Sequence, residues 1–86
     1  MQKDFSVARF TIALLQSFEV PLITVFHKPV DYPTVNYVAR LYDLNRPTVY
    51  VGFADTLKEI RAMIPSGMTR FPRDSKDAKS VVETWI

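Results

Sequence analysis

The sequence predicts an α+β fold: a single domain over residues 1–86, elements in the order α-β-β-β-α-β, an antiparallel sheet of three to four strands, and helices packed on one face. Three observations carry that prediction. From Pro47 to Gly67, PTVYVGFADTLKEIRAMIPSG, the apolar period lengthens at Asp55-Thr56 from the alternation of a strand to the three-and-four spacing of a helix. Just before it, Thr34 to Leu44 alternates, with Val35, Tyr37, Ala39 and Leu41 on one face and Asn36, Val38, Arg40 and Tyr42 on the other. Lastly, 86 residues of which 48% are hydrophobic and 23% charged fit one globular core and argue against wholesale disorder.

Taken in order, Asp4 to Phe18 spaces Val7, Phe10, Leu14 and Phe18 by three and four, with Ala8, Ile12 and Leu15 beside them. That spacing predicts a helix capped by Asp4 or Ser6, although Phe5, Val7, Thr11 and Ile12 suit an extended chain as well. A helix apolar around most of its circumference needs cover on several sides, so the segment 1–20 is a candidate dimerisation element. Pro21 ends it. Leu22 to His27 is β-branched and aromatic and stops at Lys28-Pro29, which reads as a strand followed by a loop. Asp43 to Pro47 carries turn residues and joins Thr34–Leu44 to a third strand, Thr48–Phe53, as a hairpin.

The second helix starts at Thr56, where Thr56 and Glu59 fit a capping box and Asp55 adds negative charge at the positive end of the helix dipole. Leu57, Ile60 and Ile64 form its buried stripe, and Pro65 with Gly67 stops it after roughly nine residues. Met68 to Ser80 lacks periodicity and reads as a long loop at 68–80, with Asp74 positioned to cap a short turn. The last residues, VVETWI, alternate and predict a strand inside the sheet.

Composition narrows the function. With no cysteine, disulfides, thiolate nucleophiles and sulfur-rich zinc sites are excluded together. Eleven Lys and Arg against nine Asp and Glu give a net charge of +2, too small an excess to announce a nucleic-acid binder. The apolar run Val7–Leu15 contains Arg9 and is far shorter than a membrane span, so neither a signal peptide nor a membrane anchor is read, and a cytoplasmic location is expected.

Candidate chemistry is sparse. His27 is the only histidine, and a catalytic reading pairs it with Asp31; the alternative is a strand-end ring packed beside a proline or bonded to backbone. One histidine with scattered carboxylates has no metal-ligand spacing, and two glycines, Gly52 and Gly67, do not make a phosphate-binding loop. Gly52 reads as a bulge or a close contact with Trp85 or another aromatic. Asp55 and Glu59 share a helical turn, but capping accounts for both. No catalytic residue, metal or cofactor is therefore expected.

Two surfaces stand out instead. In Thr69–Arg73, TRFPR, the arginines Arg70 and Arg73 flank Phe71 and a proline, with Lys76 and Lys79 beyond, a composition shared by protein interfaces and nucleic-acid platforms. The bland alternative is a solvated connection anchored by Phe71. Tyr42 and Tyr50 fall on the hairpin, where as cross-strand neighbours they would make a contact face of rigid apolar area with polar tips; the bland alternative is ordinary sheet stabilisation.

The order helix, three strands, helix resembles that of double-stranded RNA-binding domains, but the resemblance stops there. Those domains open their last helix with lysines aimed at phosphates. This chain has Asp55, Thr56, Leu57, Lys58 and Glu59 at that place, and a strand follows the helix. The expected function is a small non-enzymatic protein–protein interaction module, self-associating as a homodimer or binding another protein through Arg70, Phe71, Arg73, Tyr42 and Tyr50. The alternative is a weakly basic nucleic-acid-binding domain that uses the Arg70/Arg73 loop.

Overall fold

A computed structural model describes residues 3–86 and corrects the predicted architecture. Eight elements follow one another: β1 (Phe5–Ser6), α1 (Ile12–Leu15), β2 (Pro21–His27), β3 (Tyr37–Asp43), β4 (Arg46–Ala54), α2 (Leu57–Ala62), β5 (Arg70–Pro72) and β6 (Val81–Trp85). They build one six-stranded sheet in the order β1-β4-β3-β2-β6-β5. The sheet is mixed, because β1 runs parallel to β4 while every other pair is antiparallel. Strand therefore dominates, and the two helices are only four and six residues long. An antiparallel sheet of three to four strands with helices packed on one face is not the fold.

The first error lies in the N-terminal segment, whose first two residues fall outside the described part. Asp4 and Ser6 cap nothing: Phe5 and Ser6 are extended against Tyr50 and Val51 of β4, and the Val7 N–H continues to the Val51 carbonyl at 2.8 Å. Helix begins only after Thr11, whose hydroxyl accepts the Leu14 N–H at 3.1 Å. Aromatic and β-branched residues at Phe5, Val7 and Thr11 tolerate the extended course, and the apolar spacing is satisfied otherwise, with Phe10 buried by the crossing segment. The second error is β5, which makes an antiparallel edge of what reads as loop: Arg70, Phe71 and Pro72 pair with Trp85, Thr84 and Glu83. Three residues ending on a proline are too short a run to show periodicity.

The remaining elements stand close to where the sequence puts them. Thr56 Oγ1 accepts the Glu59 N–H at 3.1 Å, but the Glu59 carboxylate returns to the Thr56 hydroxyl at 2.9 Å and not to the backbone. In the 74–77 turn, Asp74 Oδ1 accepts from the Lys76 N–H and Asp77 Oδ2 from the Asp74 N–H, both at 2.9 Å. The β3–β4 hairpin turns through Leu44-Asn45, with Leu44 in the left-handed region at φ 58°.

Side-chain alternation divides the sheet into two faces. Ile23, Val25, Ala39 and Leu41 join Phe10, Leu15, Ile60 and Ile64 in the hydrophobic core, which Val7, Phe18, Met63, Met68 and Trp85 complete. Irregular chain covers this core face as much as helix does. Gly52 belongs to it because a Cβ there would collide with Met63 Cε, and the aromatic close to it is Phe10 in place of Trp85. The opposite face is covered over one half only. There Val38 and Val51 are buried, Tyr32 packs edge-on against Phe53 at 4.9 Å, and Pro29 is buried as the 28–36 loop folds back.

Candidate functional site

The half of the second face that no loop covers consists of Leu22, Thr24, Tyr42, Thr84, Phe71 and Ile86, running from β3 across β2 and β6 to β5. Cross-strand register sets this row: Phe71 stands opposite Thr84, Thr84 opposite Thr24, and Leu22 opposite Tyr42. The two threonine hydroxyls approach to 3.4 Å in a largely apolar strip in which Phe71 and Ile86 are 48% and 55% exposed, and Arg40 stands opposite Thr24 at its edge. Beside it, Phe26, Val38, Arg40, Tyr42 and Val81 line a cavity of about 230 Å³.

The structure brings two of the five sequence-derived site residues, Tyr42 and Phe71, to this surface and sends the others elsewhere. Tyr50 points to the core face, packed edge-on against Phe5 at 5.7 Å and Phe18 at 6.1 Å. Tyr42 pairs with Pro47 across a bulge between Arg40 and Tyr42 and lies on the opposite face of the sheet from Tyr50, so the two tyrosines are not neighbours. Arg70, next to Phe71 on an extended strand, falls on the core face opposite Trp85. Arg73 turns into its own loop, donating to the carbonyls of Asp77 at 3.1 Å and Ala78 at 3.4 Å. The catalytic pairing of His27 with Asp31 is not present: the His27 ring packs at a tilt against Tyr37 at the strand end, centroids 5.0 Å apart, while Asp31 approaches Arg40 at 3.4 Å.

Two charged clusters escaped the sequence reading. The first ties the N-terminal strand to the sheet. Arg40 donates to both Asp4 oxygens, at 3.0 and 2.8 Å, and to the Thr48 carbonyl at 2.7 Å, while the Tyr32 hydroxyl donates to Asp4 Oδ2 at 2.5 Å. The Arg40 and Tyr32 hydrogen bonds hold the Asp4 carboxyl below its ordinary range, and the Asp4 hydrogen bond in turn raises Tyr32. Burial raises Tyr42. The only hint in the sequence is an arginine inside an apolar strand, with nothing to say which carboxylate it meets.

The second cluster surrounds Glu83, which is 1% exposed on the core face. Arg61 of α2 grips both of its oxygens at 3.0 and 2.6 Å, the Trp85 indole N–H donates at 2.8 Å, and Arg70 reaches the same carboxylate at 3.9 Å. Burial pushes the Glu83 carboxyl up, but the Arg61 and Trp85 hydrogen bonds and the two arginine charges outweigh it and hold the group below its ordinary value. An acidic residue in mid-strand between valines and a tryptophan is the visible signal.

Neither cluster places a nucleophile beside a base, and among the described residues no three His, Asp or Glu side chains come together as a metal site. Among the described residues no helix is long and apolar enough to cross a membrane. No protein family, curated protein or solved structure matches this chain.

Proposed function

We propose that the protein is a non-enzymatic protein–protein interaction module that docks a protein partner on the uncovered half-face formed by Leu22, Thr24, Tyr42, Phe71, Thr84 and Ile86. The observation that supports this reading is the contrast across a single sheet face: one half lies beneath a folded-back loop, and the other presents exposed Phe71 and Ile86 beside half-buried Leu22, Thr24, Tyr42 and Thr84, with the one charge in register there, Arg40, tied up by Asp4. Charge-poor strips with an aromatic residue and a polar rim are the composition of interface cores. Strands about 4.8 Å apart make the strip roughly 15 Å wide, and its handful of residues falls well short of the roughly 20–30 a side of a stable interface. A contact of that footprint is transient, and extending it over the adjoining cavity deepens it.

Phe71→Glu tests the reading, since Phe71 is half exposed and its loss leaves the core intact. Quantitative capture from cells with the wild-type chain and with the variant should show one specific partner lost from the variant. Identical partner sets would overturn the docking surface. Size exclusion with light scattering across a dilution series identifies a second copy as that partner if the mass falls on dilution for the wild type and stays monomeric for Phe71→Glu.

Nucleic-acid binding through the Arg70/Arg73 loop is the weaker reading. Arg73 is occupied by its own loop carbonyls, and Arg70 faces the other side of the sheet.

A further inference from the structure

We propose that Arg61 and Arg70, held together over the buried carboxylate of Glu83, form a binding site for a single phosphate group carried by a small molecule. The site lies on the core face, opposite the proposed docking strip, and is independent of it.

The argument starts from an imbalance. Two guanidiniums converge on one carboxylate, leaving a formal surplus of one positive charge at a place where both cations are reachable: the Arg61 and Arg70 side chains are 40% and 48% exposed, and Glu83 beneath them is 1% exposed. Both arginines reach the same atom, Glu83 Oε1, at 2.6 and 3.9 Å, so the two guanidiniums are neighbours. Their donors are not exhausted. Arg61 uses Nε and Nη2 on Glu83, leaving Nη1 free, and Arg70 makes no hydrogen bond among the described residues. Lys58, three residues before Arg61 on α2, shares its helix surface and adds a further positive charge.

Glu83 acts as a positioning residue. Its bidentate hold fixes the plane of the Arg61 fork, and the Trp85 indole N–H fixes the carboxylate in turn. Pre-set forks of this kind match phosphate oxygens better than mobile lysines do, because less side-chain freedom remains to be lost on binding. The other arginines of the sheet and its β5–β6 loop have their forks committed elsewhere: Arg40 is paired with Asp4, and Arg73 donates to its own loop carbonyls. A discrete anion therefore fits, where a polyanion would need an unbroken track.

The test uses the full chain at neutral pH, titrated with inorganic phosphate at constant ionic strength, with acetate as the comparison. Trp85 is the only tryptophan and its indole N–H bonds to Glu83, so its single indole NMR signal reports the site. The wild type should give a saturable shift with phosphate and at most a weak one with acetate. Arg70→Ala, which breaks no hydrogen bond and so retains the fold, should weaken phosphate about tenfold, and Arg70→Lys should recover only part of the loss because the fork is gone. A shift that never saturates, an unchanged affinity in Arg70→Ala, or acetate binding as tightly as phosphate would overturn the assignment. A 15-mer of thymidylate is the remaining arm: binding roughly a hundredfold tighter than phosphate with a steep salt slope would replace the single-group site by a nucleic-acid track.

Discussion

Replacing Glu83 by glutamine isolates the contribution of a carboxylate buried at the sheet surface. The change keeps shape and one acceptor for the Trp85 indole, but removes the charge that Arg61 grips at 3.0 and 2.6 Å. Two charge-assisted hydrogen bonds contribute roughly 1.5–3 kcal/mol each. Against them stands the cost of keeping an ion out of water, several kcal/mol before pairing. Arg61 is 40% exposed, so solvent screens the pair on one side and receives the guanidinium once it is released. The balance is about 2 kcal/mol in favour of the carboxylate, which for a domain of this size lowers Tm by roughly 8–16 °C. Because the folded Glu83 carboxyl sits below its ordinary 4.5, its stabilisation is complete above that pH and is lost as pH falls through the lower folded value. Thermal melts followed by circular dichroism should therefore show the full gap between wild type and Glu83→Gln at pH 7 and a shrinking gap below about pH 4. A variant as stable as wild type at pH 7, or a gap that stays constant down to pH 3, would refute the reasoning.

Two further outcomes follow from other parts of the fold. Asp4→Asn weakens the clamp on Arg40 and should cost about 1 kcal/mol, with hydrogen exchange at the Val7 N–H accelerating while that at Ile23 and Val25 stays slow. Equal protection of Val7 in both proteins would show that Asp4 does not anchor β1. Leu44→Gly removes a β-carbon from a left-handed turn position where Leu44 is 59% exposed, so relief of about 1–2 kcal/mol is set against a glycine entropy cost of about 0.5–1 kcal/mol. Chemical denaturation should show equal or slightly greater stability; a clear loss would mean that the exposed leucine packs on something.

The parts of the fold that were legible are those fixed by local chemistry. Thr56 caps α2, the 74–77 turn closes on Asp74 and Asp77, and alternation from Tyr37 to Leu41 assigns the two faces of β3. What escaped depends on partners distant in sequence. β1 exists because Tyr50 and Val51, more than forty residues away, offer it an edge, and α1 shrinks to four residues because Phe10 is buried by crossing to Met63 and not by continuing a helical face. The candidate site divides in the same way. Phe71 and Tyr42 were visible as aromatics on strand or loop, but Arg70 and Arg73 look alike in the sequence, and only the folded chain separates Arg70, placed opposite Trp85 within reach of Glu83, from Arg73, which donates to its own loop. Asp4–Arg40 and Arg61–Glu83 join residues 36 and 22 positions apart, pairings that no local pattern encodes.

The sheet's two outer strands have a consequence for how the protein behaves when crowded. β1 has two residues and β5 three. Thr69 exchanges both backbone hydrogen bonds with Ile86, at 2.8 and 2.9 Å, so alternation turns the backbone groups of Arg70 and Pro72 outward. Proline has no N–H, which leaves Arg70 as the single outward donor on that rim. Strand-by-strand growth into fibrils needs a longer row of open donors and acceptors than either rim provides. At β5, a chain almost half hydrophobic thereby offers little to polymerise along its hydrogen-bonding direction, which steers assembly on that side toward the faces.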